Sequence, residues 1–189
     1  MRILLLGHGR CGSTSLQLGL SDVLGMSNII EPFNAHLWDV IYKTPPPFSD
    51  GDPIPDNVIF KNIIGPNFNN KWVLENYDKF DVVILLIRAD IRETLISHTN
   101  AKLYGFSEKY TPINHITNES IQYVNGNYNW LFNFYTSTPN VKLAWYEDLY
   151  SDYKRASNTI KTLGMPITNE QMVKLWDMYL NPNHRLRQV

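Results

Sequence analysis

Three glycines set between an apolar run and a helical pattern restrict this chain's fold more than any other feature. Residues 3–6, Ile-Leu-Leu-Leu, read as a buried strand that stops at Gly7. Gly9 and Gly12 follow, and Ser13, Thr14 and Ser15 open a helical pattern carried by Leu16, Leu20 and Leu24. Strand, glycine-rich turn and helix form the layout of a phosphate cradle, because glycine lets backbone N–H groups close around an anion. The unsatisfied N–H groups and dipole at the helix start add attraction for negative charge. The alternative is a strand-to-helix turn whose glycines serve packing only.

The spacing follows the G-x-x-x-x-G frame of a nucleoside-triphosphate loop, with one departure. Ser13 stands where that loop carries lysine, and the nearest cation is Arg10, inside the turn. Residues 81–88 contain a β-branched run without alternation, which suits the middle of a parallel sheet. Such a strand in a triphosphatase often ends in a metal-organising acid. Here it ends in Arg88, a cation fit for an anion, although an ion pair with Asp90 or Glu93 would also occupy it. Residues 28–30 predict a second strand ending at Glu31. Strand ends in open α/β sheets border the ligand crevice, so Glu31 either reaches a substrate or serves as a helix-entry acid. Residues 58–61 predict a third strand with Lys61 at its exit, facing either the crevice or solvent.

Residues 9–15, Gly-Arg-Cys-Gly-Ser-Thr-Ser, resemble the 5′-phosphosulfate loop of sulfotransferases that use 3′-phosphoadenylyl sulfate (PAPS), typically Pro-(Lys/Arg)-Ser-Gly-(Thr/Ser)-Thr. The resemblance implies that Gly9, Arg10, Cys11, Gly12, Ser13, Thr14 and Ser15 surround the phosphosulfate, with Arg10 as the cation. Cys11 replaces the usual serine, and a thiol donates weakly. Residues 87–97 resemble the sulfotransferase segment that holds the 3′-phosphate with an arginine at a strand end and a serine on the next helix. That implies Arg88 and Ser97 as further contacts to the nucleotide, with Ile91 standing for a common proline. Glu31-Pro32 resembles the pair that many carbohydrate-type members carry after their second strand, which implies Glu31 as general base. Phe60-Lys61-Asn62-Ile63 matches the cytosolic Phe-Lys-Thr-His at lysine but not at histidine. The resemblance therefore implies Arg10, Lys61 and Glu31 as the catalytic groups and no metal. Tyr146-Glu147-Asp148-Leu149, then a helix and Leu163-Gly164-Met165-Pro166, form a third, structural likeness, in which the acids are expected to cap the following helix. Arg185 and Arg187 either close over the 3′-phosphate or belong to a frayed tail.

The remaining pattern predicts helices over 67–79, 94–104 with Gly105 beyond, 119–135 with a possible break at Asn-Gly-Asn 125–127, 152–163 and 169–179, and a strand over 141–146. Five prolines within residues 44–57 predict an irregular surface loop or flap. Residues 106–114 read as a loop. These elements imply one three-layer α/β domain of 1–189, a central parallel sheet flanked by helices like that of P-loop nucleotide hydrolases. Net charge is −1, so any anion site is local and no nucleic-acid or membrane partner is implied. One cysteine excludes an internal disulfide, and the apolar runs are too short for a signal peptide or a membrane span, so a soluble, cytoplasmic protein is expected. The expected activity is sulfuryl transfer from PAPS, with 3′-phosphoadenosine 5′-phosphate (PAP) as product, to a small-molecule or carbohydrate acceptor. The rival readings are a P-loop kinase or hydrolase and a non-catalytic nucleotide-binding module.

Overall fold

In the computed structural model, residues 1–34, 36–65, 70–104 and 115–183 are described. Five strands, β1 (Arg2–Gly7), β2 (Ser27–Ile30), β3 (Val58–Ile63), β4 (Val82–Ile87) and β5 (Val141–Trp145), form one sheet in the order β2-β3-β1-β4-β5. Every pairing is parallel. A parallel sheet is covered on both faces, which is why β1 and β4 are apolar at nearly every position. Side chains alternate between the faces. Ile3, Leu5, Ile59, Ile84 and Leu86 pack with Leu16 and Leu20 of α1 (Ser13–Leu24) and with Ala156, Ile160, Met172 and Leu175. Leu4, Leu6, Phe60, Leu85 and Ile87 face Trp72 and Val73 on one side and Val124, Leu131 and Phe134 on the other. Helices α2 (Asn70–Asn76), α3 (Ile91–Tyr104) and α4 (Asn118–Ser137) precede β5, and α5 (Tyr146–Tyr150), α6 (Tyr153–Thr162) and α7 (Asn169–Leu175) follow it. No helix among the described residues is long and apolar enough to cross a membrane.

The strands agree with expectation except at β3, which continues two residues beyond Lys61 because it pairs along β1 as far as Gly7 with Ile63. Helix α4 is unbroken at Asn-Gly-Asn. An internal glycine costs about 1 kcal/mol relative to alanine, and the buried stripe of Val124, Tyr128, Leu131 and Phe134 outweighs it. Helix α3 begins three residues earlier than expected, capped by the Asp90 carboxylate on the Glu93 N–H at 2.9 Å. Residues 43–57 are irregular, and Phe48 fixes them by packing edge-on against Phe60 with ring centroids 5.0 Å apart. A wide helical turn over His36–Tyr42, unforeseen, closes the β2 exit. Gly105, residues 106–114, Arg185 and Arg187 lie outside the described residues.

Candidate active site

The carboxyl ends of β1, β3 and β4 meet where the chain reverses direction across the sheet, the position at which open α/β sheets bind ligands. The turn after β1 is built for close approach. Gly12 caps α1 with φ +81°, and Leu16 is the first residue to donate into the helix, at 3.3 Å to the Gly12 carbonyl. The N–H groups of Ser13, Thr14 and Ser15 thus have no acceptor within α1. Above Gly12 lie two aromatic rings, and the Tyr150 hydroxyl donates to the Gly12 carbonyl at 2.7 Å. A Cβ on Gly12 would stand 2.9 Å from Tyr150 and 3.0 Å from Tyr146. Gly12→Ala should therefore cost at least about 1–2 kcal/mol from the left-handed backbone alone. A urea titration with an unchanged midpoint would contradict this.

Lys61 sits at the centre of the second cluster. It is 2% exposed, on the face of β3 that looks toward α1. Its ammonium donates to the Thr14 hydroxyl at 2.8 Å and to a Glu31 carboxylate oxygen at 2.5 Å. The other Glu31 oxygen accepts from the Asn34 amide at 2.8 Å. The Glu31 backbone is held by its own N–H to the Lys61 carbonyl and by the Trp38 indole N–H on its carbonyl at 2.9 Å. Its φ of +42° makes this sharp exit from β2 a shaped turn rather than a frayed end.

The third cluster joins the two expected anion sites. The Arg10 guanidinium donates through Nε to the Ser97 hydroxyl on α3 at 2.9 Å. Arg88 lies with its guanidinium 4.6 Å from the centre of the Tyr146 ring. Its Nε is buried and has no hydrogen-bond partner, and its approach to Glu93 is long, 3.9 Å. A buried donor without a partner costs about 1–3 kcal/mol. An incoming anionic oxygen would relieve that cost, so the residue fits a phosphate.

The backbone around Arg88 is gripped from three directions. The Glu147 carboxylate accepts from the N–H groups of Ala89 and Asp90 at 2.9 and 3.0 Å. The acid of Tyr-Glu-Asp-Leu therefore fixes the turn after β4; the expectation that it caps the next helix is corrected, since Asp152 does that for α6. The Tyr128 hydroxyl donates to the Arg88 carbonyl, and burial pushes its phenol up to about 12. The Arg88 N–H reaches His8 Nε2 at 3.4 Å.

The structure thus brings Gly9, Arg10, Gly12, Thr14, Glu31, Lys61, Arg88 and Ser97 to one end of the sheet. Ser15 lies half-buried in the first turn of α1. Ser13 and Cys11 are buried. The Cys11 side chain belongs to the core, 2.6 Å from where a Cβ on Gly7 would lie, and burial pushes its thiol up. The thiol, a weak donor, thus faces the core, and it is the backbone of Cys11 that stands in the turn.

No protein-family model matches the sequence, and no curated protein matches it either. Solved structures do. Mouse sulfotransferase SULT7A1 complexed with PAP aligns over 92% of this chain and 62% of its own, at 12% identity and a TM-score of 0.55. Retinol dehydratase in complex with androsterone and the inactive cofactor PAP aligns over 97% and 65%, at 13% identity and a TM-score of 0.54. The fold is that of the sulfotransferases. The chain spans less than two thirds of the length of either neighbour. Within this sulfotransferase fold, His8, Asn34, Tyr128, Glu147 and Tyr150 escaped the sequence reading as parts of the site. Their contacts run mostly to backbone atoms, which no residue spacing records. His8 alone carried a local signal, a polar ring inside the glycine turn.

Proposed function

We propose that the chain transfers the sulfuryl group of PAPS to a hydroxyl or amine of a small-molecule or carbohydrate acceptor. The observation that carries this reading is the Lys61–Thr14 contact of 2.8 Å. In a triphosphatase loop, the hydroxyl at the Thr14 position holds Mg²⁺. Here a buried ammonium occupies that hydroxyl, and the cation normally at the Ser13 position is supplied by Arg10 from the other side of the turn. Fixed cations at both places suit a reaction in which charge builds on a leaving phosphate oxygen.

The bond from sulfur to the 5′-phosphate oxygen breaks as the bond from sulfur to the acceptor oxygen or nitrogen forms. Lys61, Arg10 and the N–H groups at the start of α1 would stabilise the departing phosphate. Glu31 would take the acceptor's proton. Each of its carboxylate oxygens already accepts one hydrogen bond, and each retains a further lone pair for that proton. Asn34 and Lys61 would hold the carboxylate in place meanwhile. Arg88 and Ser97 would bind the 3′-phosphate of the donor.

A thermal-shift comparison tests this. PAP should raise the melting temperature more than ATP with Mg²⁺ or AMP does, because a ligand selective for the native state stabilises it by mass action. Arg88→Ala should remove most of the PAP shift, since a charge-assisted hydrogen bond is worth about 1.5–3 kcal/mol. A larger shift with ATP and Mg²⁺, together with phosphate release, would instead establish the hydrolase reading. Binding of PAP without sulfuryl transfer to any acceptor would leave a nucleotide-binding module.

A further inference from the structure

We infer that His8 is a positioning residue that fixes the spacing between the turn around Gly12 and the Arg88 turn, and so makes the site selective for a nucleotide phosphorylated at both ends. The inference rests on the donor proposed above. His8 follows β1 directly and is 1% exposed. Its Nδ1 lies 2.7 Å from the Gly9 carbonyl in the glycine turn. Its Nε2 lies 3.4 Å from the N–H of Arg88, eighty residues further along the chain. A carbonyl accepts and an N–H donates, so the two partners dictate the ring's proton: Nδ1–H to Gly9, bare Nε2 toward Arg88. This is the neutral imidazole, and burial lowers its pKa from the ordinary 6.5 to about 4 against the opposing pull of the Gly9 carbonyl.

The paired strands β1 and β4 end at Gly7 and Leu86, and one rigid ring links the turns just beyond that last pairing. The ring is itself held. It packs on Tyr128 with centroids 4.8 Å apart, and the Tyr128 hydroxyl donates to the Arg88 carbonyl. The N–H and the carbonyl of Arg88 are thus tied by two rings that touch one another. Glu147 holds the next two N–H groups. The guanidinium of Arg88 keeps its buried, unpartnered Nε. A single phosphate needs one correctly shaped turn. A nucleotide with two phosphates needs both turns at a set separation; the β1–β4 pairing brings their starts together, and the ring holds that separation beyond the last paired residues.

The test compares PAP with AMP by calorimetry on the whole chain, in wild type and in His8→Phe. Phenylalanine keeps a ring against Tyr128 and removes both polar links. PAP affinity should fall about tenfold, the loss of roughly one hydrogen bond's worth of register, while AMP affinity should change less than about twofold. His8→Gln, whose amide keeps one link, should lie between; it carries the comparison by itself if His8→Phe does not fold. An equal fall for PAP and AMP would reduce His8 to a packing residue and overturn the inference, as would no fall for either. Wild-type protein that binds AMP as tightly as PAP would remove the proposed donor, and the His8 assignment with it.

Discussion

Lys61→Met should cost the folded protein about 3–5 kcal/mol, the loss expected when one partner of a buried ion pair is removed. The Lys61 side chain is 3% exposed and that of Glu31 12%. Methionine fills nearly the same volume but leaves the Glu31 carboxylate without its ammonium, away from water, with only Asn34 as a donor. A charge in that position is expensive because little solvent replaces the lost partner. The effect belongs to the pair rather than to lysine, so Glu31→Gln combined with Lys61→Met should recover most of the loss. A neutral amide needs no counter-ion and can keep its contact with Asn34. Urea denaturation of the two single variants and the double variant measures this directly. An unchanged midpoint for Lys61→Met would mean that the Lys61–Glu31 contact does not exist in the folded chain. The same substitution should abolish transfer, and the double variant should regain stability without regaining activity. That split separates the structural part of Lys61 from its chemical part.

Much of the frame behind this site could be read from residue order alone, and the reason is physical. Buried parallel strands are long apolar runs, so β1 and β4 announce themselves, and a cation ending β4 is conspicuous in such company. Lys61 was harder. Read by itself, a lysine after Val-Ile-Phe looks like a strand end, because lysine is seldom buried. Only the pairing of Ile63 with Gly7 carries β3 past it, and that is a fact about two distant segments. Burial of Lys61 is then tolerable because Glu31 and Thr14 accept hydrogen bonds from its ammonium. Glu147 shows the opposite limit. Its place beside Asp148 suggested a local cap, yet its carboxylate serves backbone groups 57 and 58 residues away. Contacts from side chain to distant backbone leave no periodicity, so neither Glu147 nor His8 could be assigned before the turns they hold were placed. The surroundings of the Cys11 side chain were equally hidden in residue order. A position that is polar in a resembling loop faces the core here, where Gly7 leaves room for sulfur.

Arg10→Ala should lower the rate of PAP release from PAPS about 10²–10³-fold, the usual consequence of removing one preorganised donor to developing charge. The fold should be indifferent to the change. Arg10 is exposed and has φ +73°, and alanine bears the same left-handed backbone cost as arginine, since both carry a Cβ. Melting temperature should therefore stay close to wild type, which sets this variant apart from Lys61→Met. Arg10→Lys supplies the discriminating arm. If Arg10 acts as a point charge on the departing phosphate, lysine should restore a large part of the rate. If the forked guanidinium is needed to reach both the Ser97 hydroxyl at 2.9 Å and the phosphate, lysine should restore little, because its ammonium cannot address two acceptors in a fixed plane. The Arg10–Ser97 contact favours the second result. It also predicts that Ser97→Ala weakens donor binding while leaving the bond-breaking step nearly intact. A rate for Arg10→Ala equal to that of wild type would take Arg10 out of the chemistry and leave Lys61 as the cation on which transfer depends.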